Sequence, residues 1–391
     1  MRLSDCRNTA DFRELARRRL PAPLFHYIDG GSDDESTLAR NTAAFDDVDI
    51  VPRVLTGVDA VDMSVDVLGC RLKMPIFFSP TALQRLFHPD GEWAPATVAE
   101  EFGSLYGLST IGTRSIEEMG RYNGAHKLFQ IYVHKDAGFT NALIDRCREA
   151  QFDAIALTVD TIVAGNRERD YRTGMTTPPK LTLSSLASFI THPYWTIPYL
   201  RSPPFDLPNV TDVVNTQRDV NGSVGQYIDE QMETCIRWDD AAMMIDRWQG
   251  PFVIKGVSSV DDARRAVEIG ASAIMLSNHG GRQLDGARAP FDQVAEIADA
   301  VGGQIEIIVD GGIRRGTHVL KAIANGATAC SGGRFYLYAL AAGGAPGVRR
   351  AMRLMHEEIE RDMRLTGITH LGELDRTYLR RRHPNDRAAA T

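Results

Sequence analysis

The sequence predicts an α/β protein, a TIM (β/α)8 barrel with an N-terminal helical segment and a long inserted loop after strand 4. Three observations point there. Eight short apolar runs recur along the chain, each ending in polar or glycine-rich residues. Amphipathic, helix-like segments separate them, and strand–helix alternation of this kind implies a parallel sheet covered on both faces. Residues of special chemistry also collect where the apolar runs stop, and a barrel places its chemistry at the C-terminal ends of its strands.

Taken in order, the stretch to about Phe45 reads as helical and solvent-facing, interrupted by Pro21 and Pro23. The strand candidates are Met74–Ser79, Leu108–Ile111, Leu128–Val133, Ala154–Val159, Pro251–Lys255, Ala273–Ser277, Glu306–Val309 and Thr328–Ser331. Helix candidates between them are Ala137–Ala150, Val260–Ile269, Phe291–Val301 and Gly316–Asn325. About eight such units favour a closed barrel over an open sheet. The expected organisation is a single domain over 1–391, with the barrel at about 74–345, the inserted loop at about 162–225, and a C-terminal helix and tail at about 346–391.

The inserted loop breaks the rhythm and holds Pro178, Pro179, Pro193, Pro198, Pro203, Pro204 and Pro208. A loop this long is usually functional or mobile. Within it Leu181–Leu200 carries no Asp, Glu, Lys or Arg. Its Ser and Thr content and internal prolines argue against a spanning helix. Two readings stand: a flap packed on the barrel or on a neighbouring subunit, or an interfacial surface in which Tyr194, Trp195 and Tyr199 meet a membrane.

Composition narrows the function. The 391 residues are 43% hydrophobic and 24% charged, with a net charge of −7. An acidic chain without a basic patch excludes nucleic acid as the expected partner. The Arg-rich stretch Arg376 to Arg382 reads as a solvated or lightly ordered end and not as a nucleic-acid patch. Cys6, Cys70, Cys147, Cys235 and Cys330 are scattered and form no CxxC pair, which suits reduced thiols in a cytosolic protein. The charged start lacks an apolar signal core, so a cytoplasmic location is expected. Asn209 and Asn221 look like glycosylation acceptors and mean little without export. His88, His126, His134 and His192 fall in no ligand spacing, and no metal site is expected.

The most informative segment is Ser277-Asn278-His279-Gly280-Gly281-Arg282-Gln283-Leu284-Asp285. After a strand, it offers a base in His279 and a carboxylate clamp in Arg282. From residue types alone the pair also fits a structural role. Other groups end apolar runs: Gln130 and Tyr132, Thr158 and Asp160, Lys255, and Asp310-Gly311-Gly312. No GxGxxG after a strand and no GxxxxGK[ST] is present, so neither a Rossmann dinucleotide site nor a P-loop is supported.

SNHGGRQLD, VDGGIRRGTHVLKAIANGA and GGRFYLYALA, with LFHYIDGG, SPTALQ, FQIYV and ALTVDT, closely resemble the FMN-dependent 2-hydroxy-acid oxidase and dehydrogenase family, from about Asp11 to Leu374. The family includes glycolate oxidase, L-lactate dehydrogenase and mandelate dehydrogenase. The resemblance implies FMN as cofactor and oxidation of a small L-2-hydroxy acid to the keto acid. It implies His279 as the base, Asp160 as the carboxylate that pairs with it, and Tyr132 as a hydrogen-bond partner of the reacting hydroxyl. Arg282 and Tyr27 would hold the substrate carboxylate, with Arg167 a second arginine at the mouth. Lys255 would stabilise the anionic reduced flavin. Ser109, Gln130, Thr158 and Ser277 would lie by the ring, and the backbone at Thr81 and Ala82 would face it. The ribityl-phosphate would sit by Asp310, Gly311, Arg314, Gly333 and Arg334, on glycine loops that open helices.

The sequence departs from relatives at Phe335, where many have proline, at the polar Cys330-Ser331-Gly332, and at Ile111, where glycolate oxidase has tryptophan. The stretch from Thr176 to Leu200 is similar to the loop of bacterial lactate and mandelate dehydrogenases, which implies a quinone or cytochrome acceptor and peripheral contact with the inner face of the membrane. Ala82 instead resembles the oxidases. The expectation is a lactate-type dehydrogenase, with a peroxide-producing L-2-hydroxy-acid oxidase, mandelate-like substrates included, as the alternative. Family analogy implies a homotetramer. A flavin barrel of other chemistry need not keep His279, Asp160 and Arg282 together, and a non-catalytic barrel would not require Lys255.

Overall fold

A computed structural model describes residues 1–122, 124–175, 180–210 and 231–382. Eight parallel strands close into a barrel in sequence order: β1 (Ile76–Phe78), β2 (Leu105–Ser109), β3 (His126–Ile131), β4 (Ala154–Thr158), β5 (Phe252–Val257), β6 (Ala273–Ser277), β7 (Glu306–Asp310) and β8 (Ala329–Gly332). β8 pairs with β1 and completes the ring. Each strand is buried along nearly its whole length because the barrel wall is covered on both faces, which is why the runs read as continuously apolar. All eight sequence-predicted strands overlap these, and the helix candidates correspond to Ala137–Glu149, Val260–Glu268, Pro290–Val301 and Gly316–Ala324.

The two ends of the barrel differ. A hairpin of Val65–Val67 and Cys70–Leu72 plugs the N-terminal end, and its Val67, Leu68 and Leu72 pack with Phe77, Leu128, Val253, Met275 and Ile308 in the interior. The C-terminal end opens into a cleft.

The N-terminal segment is helical as expected, over Thr9–Arg19, Ala22–Asp29 and Ser36–Ala43, but it is not solvent-facing. It buries Phe12, Leu15, Leu20, Leu24, Phe25, Ile28 and Phe45, packing chiefly on the C-terminal helix Arg334–Thr366. The expectation failed because Arg and Glu crowd the outer face of Thr9–Arg19 and hide a narrow apolar stripe. A helix follows β8 directly from Arg334, and the C-terminal helix expected from about 346 is the second part of the same run, Arg334–Thr366. The run breaks at Gly343 and Gly344, where Gly344 has φ +58°, and resumes through Pro346.

The described part of the inserted region is more regular than its sequence suggests. It forms helices Glu168–Thr173, Leu183–Thr191 and Pro193–Arg201. Pro193 sits at the first helical position, where its missing N–H costs nothing. Pro178, Pro179, Asn221 and the loop's end beyond 210 lie outside the described residues. Asn209 is no accessible acceptor: its buried amide bonds Ile116 N and Arg114 O. The Arg-rich end is not merely solvated, since Leu379–Arg381 pairs with Val48–Ile50 and Arg376 bonds Asp299 at 2.8 Å.

Phe45 is fully buried, stacked 4.2 Å from Phe291 and 4.3 Å from His318 between ring centroids. Phe45→Ala should lower unfolding free energy by about 3–5 kcal/mol in denaturant titration. Burial lowers the His318 imidazole to about 4. Its unfolded value is near 6.5, so the unfolded chain binds the extra proton between those values. Stability from this group should therefore be present above about pH 6.5 and be lost as pH falls toward about 4. His318→Gln should flatten that part of the stability-versus-pH curve.

Candidate active site

The strand ends deliver the site. Strand β6 stops at Ser277, and the chain then turns through three consecutive left-handed residues, His279 (φ +56°), Gly280 (φ +68°) and Gly281 (φ +74°). Such a turn strains the histidine backbone, and the bond from His279 N to Ser277 Oγ at 3.1 Å helps hold it. It aims the imidazole over the barrel mouth. Asp160, two residues past β4, meets it there, with Nδ1 3.2 Å from Oδ1.

Burial acts on both partners. It raises the Asp160 carboxyl, but the charges of His279 and Lys255 outweigh it and hold the group below the ordinary carboxylate range. On His279 burial lowers the value, aided by Lys255 and Arg282 and opposed by Asp160. The resting pair is an ionised carboxylate beside a neutral imidazole, which can accept a proton.

Arg282 and Arg167 lie on the same side of the cleft, each over the Tyr27 ring, at 4.8 and 5.5 Å from its centroid. Arg282 donates to the Tyr27 and Gly30 carbonyls. Burial, and then the neighbouring Arg167, depress its value to about 10. Arg167 approaches Asp170 at 3.5 Å, while Arg282 has no carboxylate at ion-pair distance among the described residues. A bound carboxylate would relieve that desolvation and mutual repulsion. The Tyr132 hydroxyl lines the same space, and burial pushes its value up.

Below lies the cleft floor. Lys255 Nζ stands 3.4 Å from Asp310 and donates to Ser277 Oγ at 3.3 Å. Asp310 accepts from Ser79, Ser331 and Ser277 at 2.7, 2.7 and 2.9 Å. Ser331 thus accounts for the polarity noted at Cys330-Ser331-Gly332. The Asp310 carboxylate is anionic and suits a hydroxyl rather than a phosphate. Ser109 donates to Gln130 Oε1 at 2.9 Å. Gln130 Nε2 and Thr158 Oγ1 are buried with no partner among the described residues. Buried polar groups are rarely left so, and two of them beside one cleft point to a missing polar ligand.

The far end is cationic. Arg334 is buried and Arg314 half-buried, and desolvation lowers both. Arg334 donates to the carbonyls of Ile28, Gly280 and Gly30, and Arg314 to that of Ile313. Among the described residues neither has a carboxylate at ion-pair distance. Gly311, Gly312 and Gly333 line the cleft beside them, and Gly333 caps the N-terminus of helix Arg334–Thr366. Two unpaired guanidiniums at a helix N-terminus make an anion site.

One cleft joins these parts. Tyr27, Thr81, Ala82, Ser109, Tyr132, Arg167, Lys255, His279, Arg282, Asp310, Gly311, Arg314, Gly333 and Arg334 line it. Gln130, Asp160 and Ser277 stand one bond behind the lining, and Thr158 pairs with Lys255 across β4 and β5. Phe335 instead packs in the core on Phe78, 5.9 Å between centroids.

Sequence reasoning missed several groups. Gln283 donates to Asp160 O and Val163 O and accepts from Gly165 N, so it ties the base loop to the loop bearing Arg167. Its place in the SNHGGRQLD segment was the available signal. Phe87, Val163, Ala164 and Met232 form an apolar mouth with Ile111. Met232 arrives through a bridge to His134 that no local pattern announces.

Comparison with known proteins gives the family and the fold. The FMN-dependent dehydrogenase family pattern matches residues 16–381. Glycolate oxidase 1 of Oryza sativa subsp. indica is 36% identical, covering 96% of each chain. L-lactate oxidase of Nostoc sp. is 39% identical, covering 95% of this chain and 97% of that one. Among solved structures, the monotopic membrane protein (S)-mandelate dehydrogenase superposes with a TM-score of 0.91 at 30% identity, covering 96% of this chain and all of that one.

Proposed function

Because the chain belongs to the FMN-dependent dehydrogenase family, and with it to the enzymes that oxidise 2-hydroxy acids with FMN, we propose that it oxidises L-lactate or a close L-2-hydroxy-acid analogue and passes the electrons to a quinone or cytochrome at a membrane surface. The observation that carries the chemistry is the convergence of Asp160, His279 and Arg282 at one barrel mouth.

The residues fit FMN. The partnerless Gln130 amide and Thr158 hydroxyl suit the polar edges of a flavin ring, with Ser109, Ser277 and the backbone at Thr81 and Ala82 beside them. Asp310 suits a ribityl hydroxyl, and Arg314, Arg334, Gly311 and Gly333 suit the phosphate. Lys255 supplies positive charge on the floor where the ring would lie. When bound, FMN takes up the two electrons released as the hydroxy acid becomes a keto acid.

The protein's own groups do the rest. Arg282, with Tyr27 and Arg167, pins the substrate carboxylate and so fixes which hydrogens face His279. The neutral imidazole takes a proton from Cα, or from the hydroxyl if hydrogen leaves Cα as hydride. Asp160 stabilises the imidazolium that results. Tyr132 is placed to donate to the substrate oxygen, and its raised value keeps its proton in place. The apolar mouth of Phe87, Ile111, Val163, Ala164 and Met232 receives the side chain, a methyl group or larger.

Support for a membrane-borne acceptor comes from the helices Leu183–Thr191 and Pro193–Arg201. Trp195 pins them inward through a bond to Leu86 O. Outward they leave Leu183, Leu186, Ile190, Tyr194, Ile197 and Leu200 exposed, on a stretch without Asp, Glu, Lys or Arg. Such a patch suits an interface with lipid. Among the described residues no helix is long and apolar enough to cross a membrane. Ala82, at the cleft wall, favours the second reading, an oxidase that reduces oxygen to peroxide.

The purified protein should be yellow and should bleach anaerobically with L-lactate or a larger L-2-hydroxy acid, and not with the D-enantiomer. His279→Gln should keep the colour and slow bleaching roughly 10²–10⁴-fold; unchanged turnover would refute the base. Because burial holds His279 low, the bleaching rate should stay flat through neutral pH and fall only below about 6.5 as the imidazole takes up a proton. Aerobic turnover with a short-chain quinone should give quinol without matching peroxide. Stoichiometric peroxide, with quinone ignored, would select the oxidase reading. Wild type should float with phosphatidylethanolamine/phosphatidylglycerol vesicles, and a variant with Leu183, Ile190 and Leu200 changed to Glu should not. Equal partitioning of the two would remove the membrane surface.

A further inference from the structure

Away from the cleft, among the described residues, one set of metal-ligating side chains converges. At the N-terminal floor of the barrel, Cys70 comes from the plugging hairpin, His126 opens β3, and Asp153 immediately precedes β4. The thiol sulfur, an imidazole nitrogen and a carboxylate oxygen lie within 4.8 Å of one another. We propose that Cys70, His126 and Asp153 form a binding site for a divalent transition metal of borderline softness, zinc foremost.

The donor set is the first argument. Thiolate, imidazole and carboxylate together describe a zinc-type site, and a calcium or magnesium site would be built from oxygen alone. Orientation is the second. Asp153 Oδ2 accepts from Lys127 N at 2.7 Å, which fixes the carboxylate and turns Oδ1 toward His126 Nδ1 at 3.3 Å. The Lys127 ammonium points elsewhere, toward the carbonyls of Gly120 and Tyr122.

Charge is the third. The charged groups acting on Cys70 are Asp153 and Glu306, both acidic, and Asp66 acts in turn on Glu306. A thiolate and a carboxylate would neutralise a divalent ion. Access is the fourth. Cys70 is buried, while His126 and Asp153 are half-buried, so a metal could enter from solvent and keep a water as fourth ligand. Tetrahedral ligation at the usual bond lengths sets donors roughly 3.5 Å apart, so small side-chain rotations suffice. On binding, the sulfur–hydrogen bond of Cys70 gives way to a sulfur–metal bond and the proton passes to solvent, with no change of oxidation state. The metal would tie the plug to the starts of two barrel strands.

The test uses the FMN-loaded protein, stripped with a chelator, dialysed and titrated with Co²⁺ alone. One equivalent should produce the intense d–d bands of tetrahedral cobalt in the red, where oxidised flavin does not absorb, and Zn²⁺ should abolish them. Cys70→Ser should lose the bands, and His126→Gln and Asp153→Asn should each weaken Co²⁺ binding at least tenfold. All three variants should keep flavin absorbance and turnover, which checks that they fold. No saturable binding, a weak octahedral spectrum, or bands that persist in the Cys70→Ser variant would overturn the site. So would bands lost in Cys70→Ser but untouched in both His126→Gln and Asp153→Asn.

Discussion

A buried carboxylate facing a neutral imidazole is the interaction on which the rest of this structure depends. Asp160 and His279 come from different strands and meet at 3.2 Å. Each is costly to place in that position alone. An isolated buried carboxylate would take up a proton, and an isolated buried imidazole would have no stabilised cation to form. Together, with Lys255 nearby, the carboxylate stays ionised and the imidazole stays free to accept a proton. The barrel makes this possible because β4, β5 and β6 are adjacent and end at the same mouth.

The remaining charges follow one rule: guanidiniums are partly or wholly desolvated where a ligand anion would sit. Among the described residues Arg282 sits beside Arg167 without a carboxylate partner of its own. Arg314 and Arg334 sit at a helix N-terminus in the same condition. Each arrangement favours an anionic group, and on the proposed function these would be the substrate carboxylate at one end and the FMN phosphate at the other. The floor between them is set by the three serine hydroxyls on Asp310 and by the orphaned Gln130 and Thr158. The closed N-terminal end lets this asymmetry persist, because the Val65–Leu72 hairpin fills the interior from below.

Much of this was legible in the sequence, for physical reasons. Strands buried on both faces read as apolar runs, and their polar ends mark the mouth, so the barrel and the residues around Lys255, His279 and Asp310 could be located. The SNHGGRQLD segment carried base, clamp and hinge glycines in nine consecutive positions. What could not be read was whatever depended on burial by a distant partner. The Thr9–Arg19 helix looks solvated until Arg334–Thr366 covers its stripe. The proline-rich insert looks irregular until Pro193 is seen starting a helix. Asn209 passes for a surface acceptor until its amide is found bonded to Ile116 and Arg114. Cys70, His126 and Asp153 belong to three separate segments, and no local spacing could announce their meeting at the barrel floor.

The most direct measurement is a double-mutant cycle on the anaerobic reductive half-reaction, following flavin bleaching in wild type, Asp160→Asn, His279→Gln and the double variant. If the carboxylate acts only by supporting the imidazole, the double variant should be no slower than His279→Gln alone. Slowing that multiplies the two single effects would mean that Asp160 acts independently of His279, and the pairing at the centre of this account would be wrong.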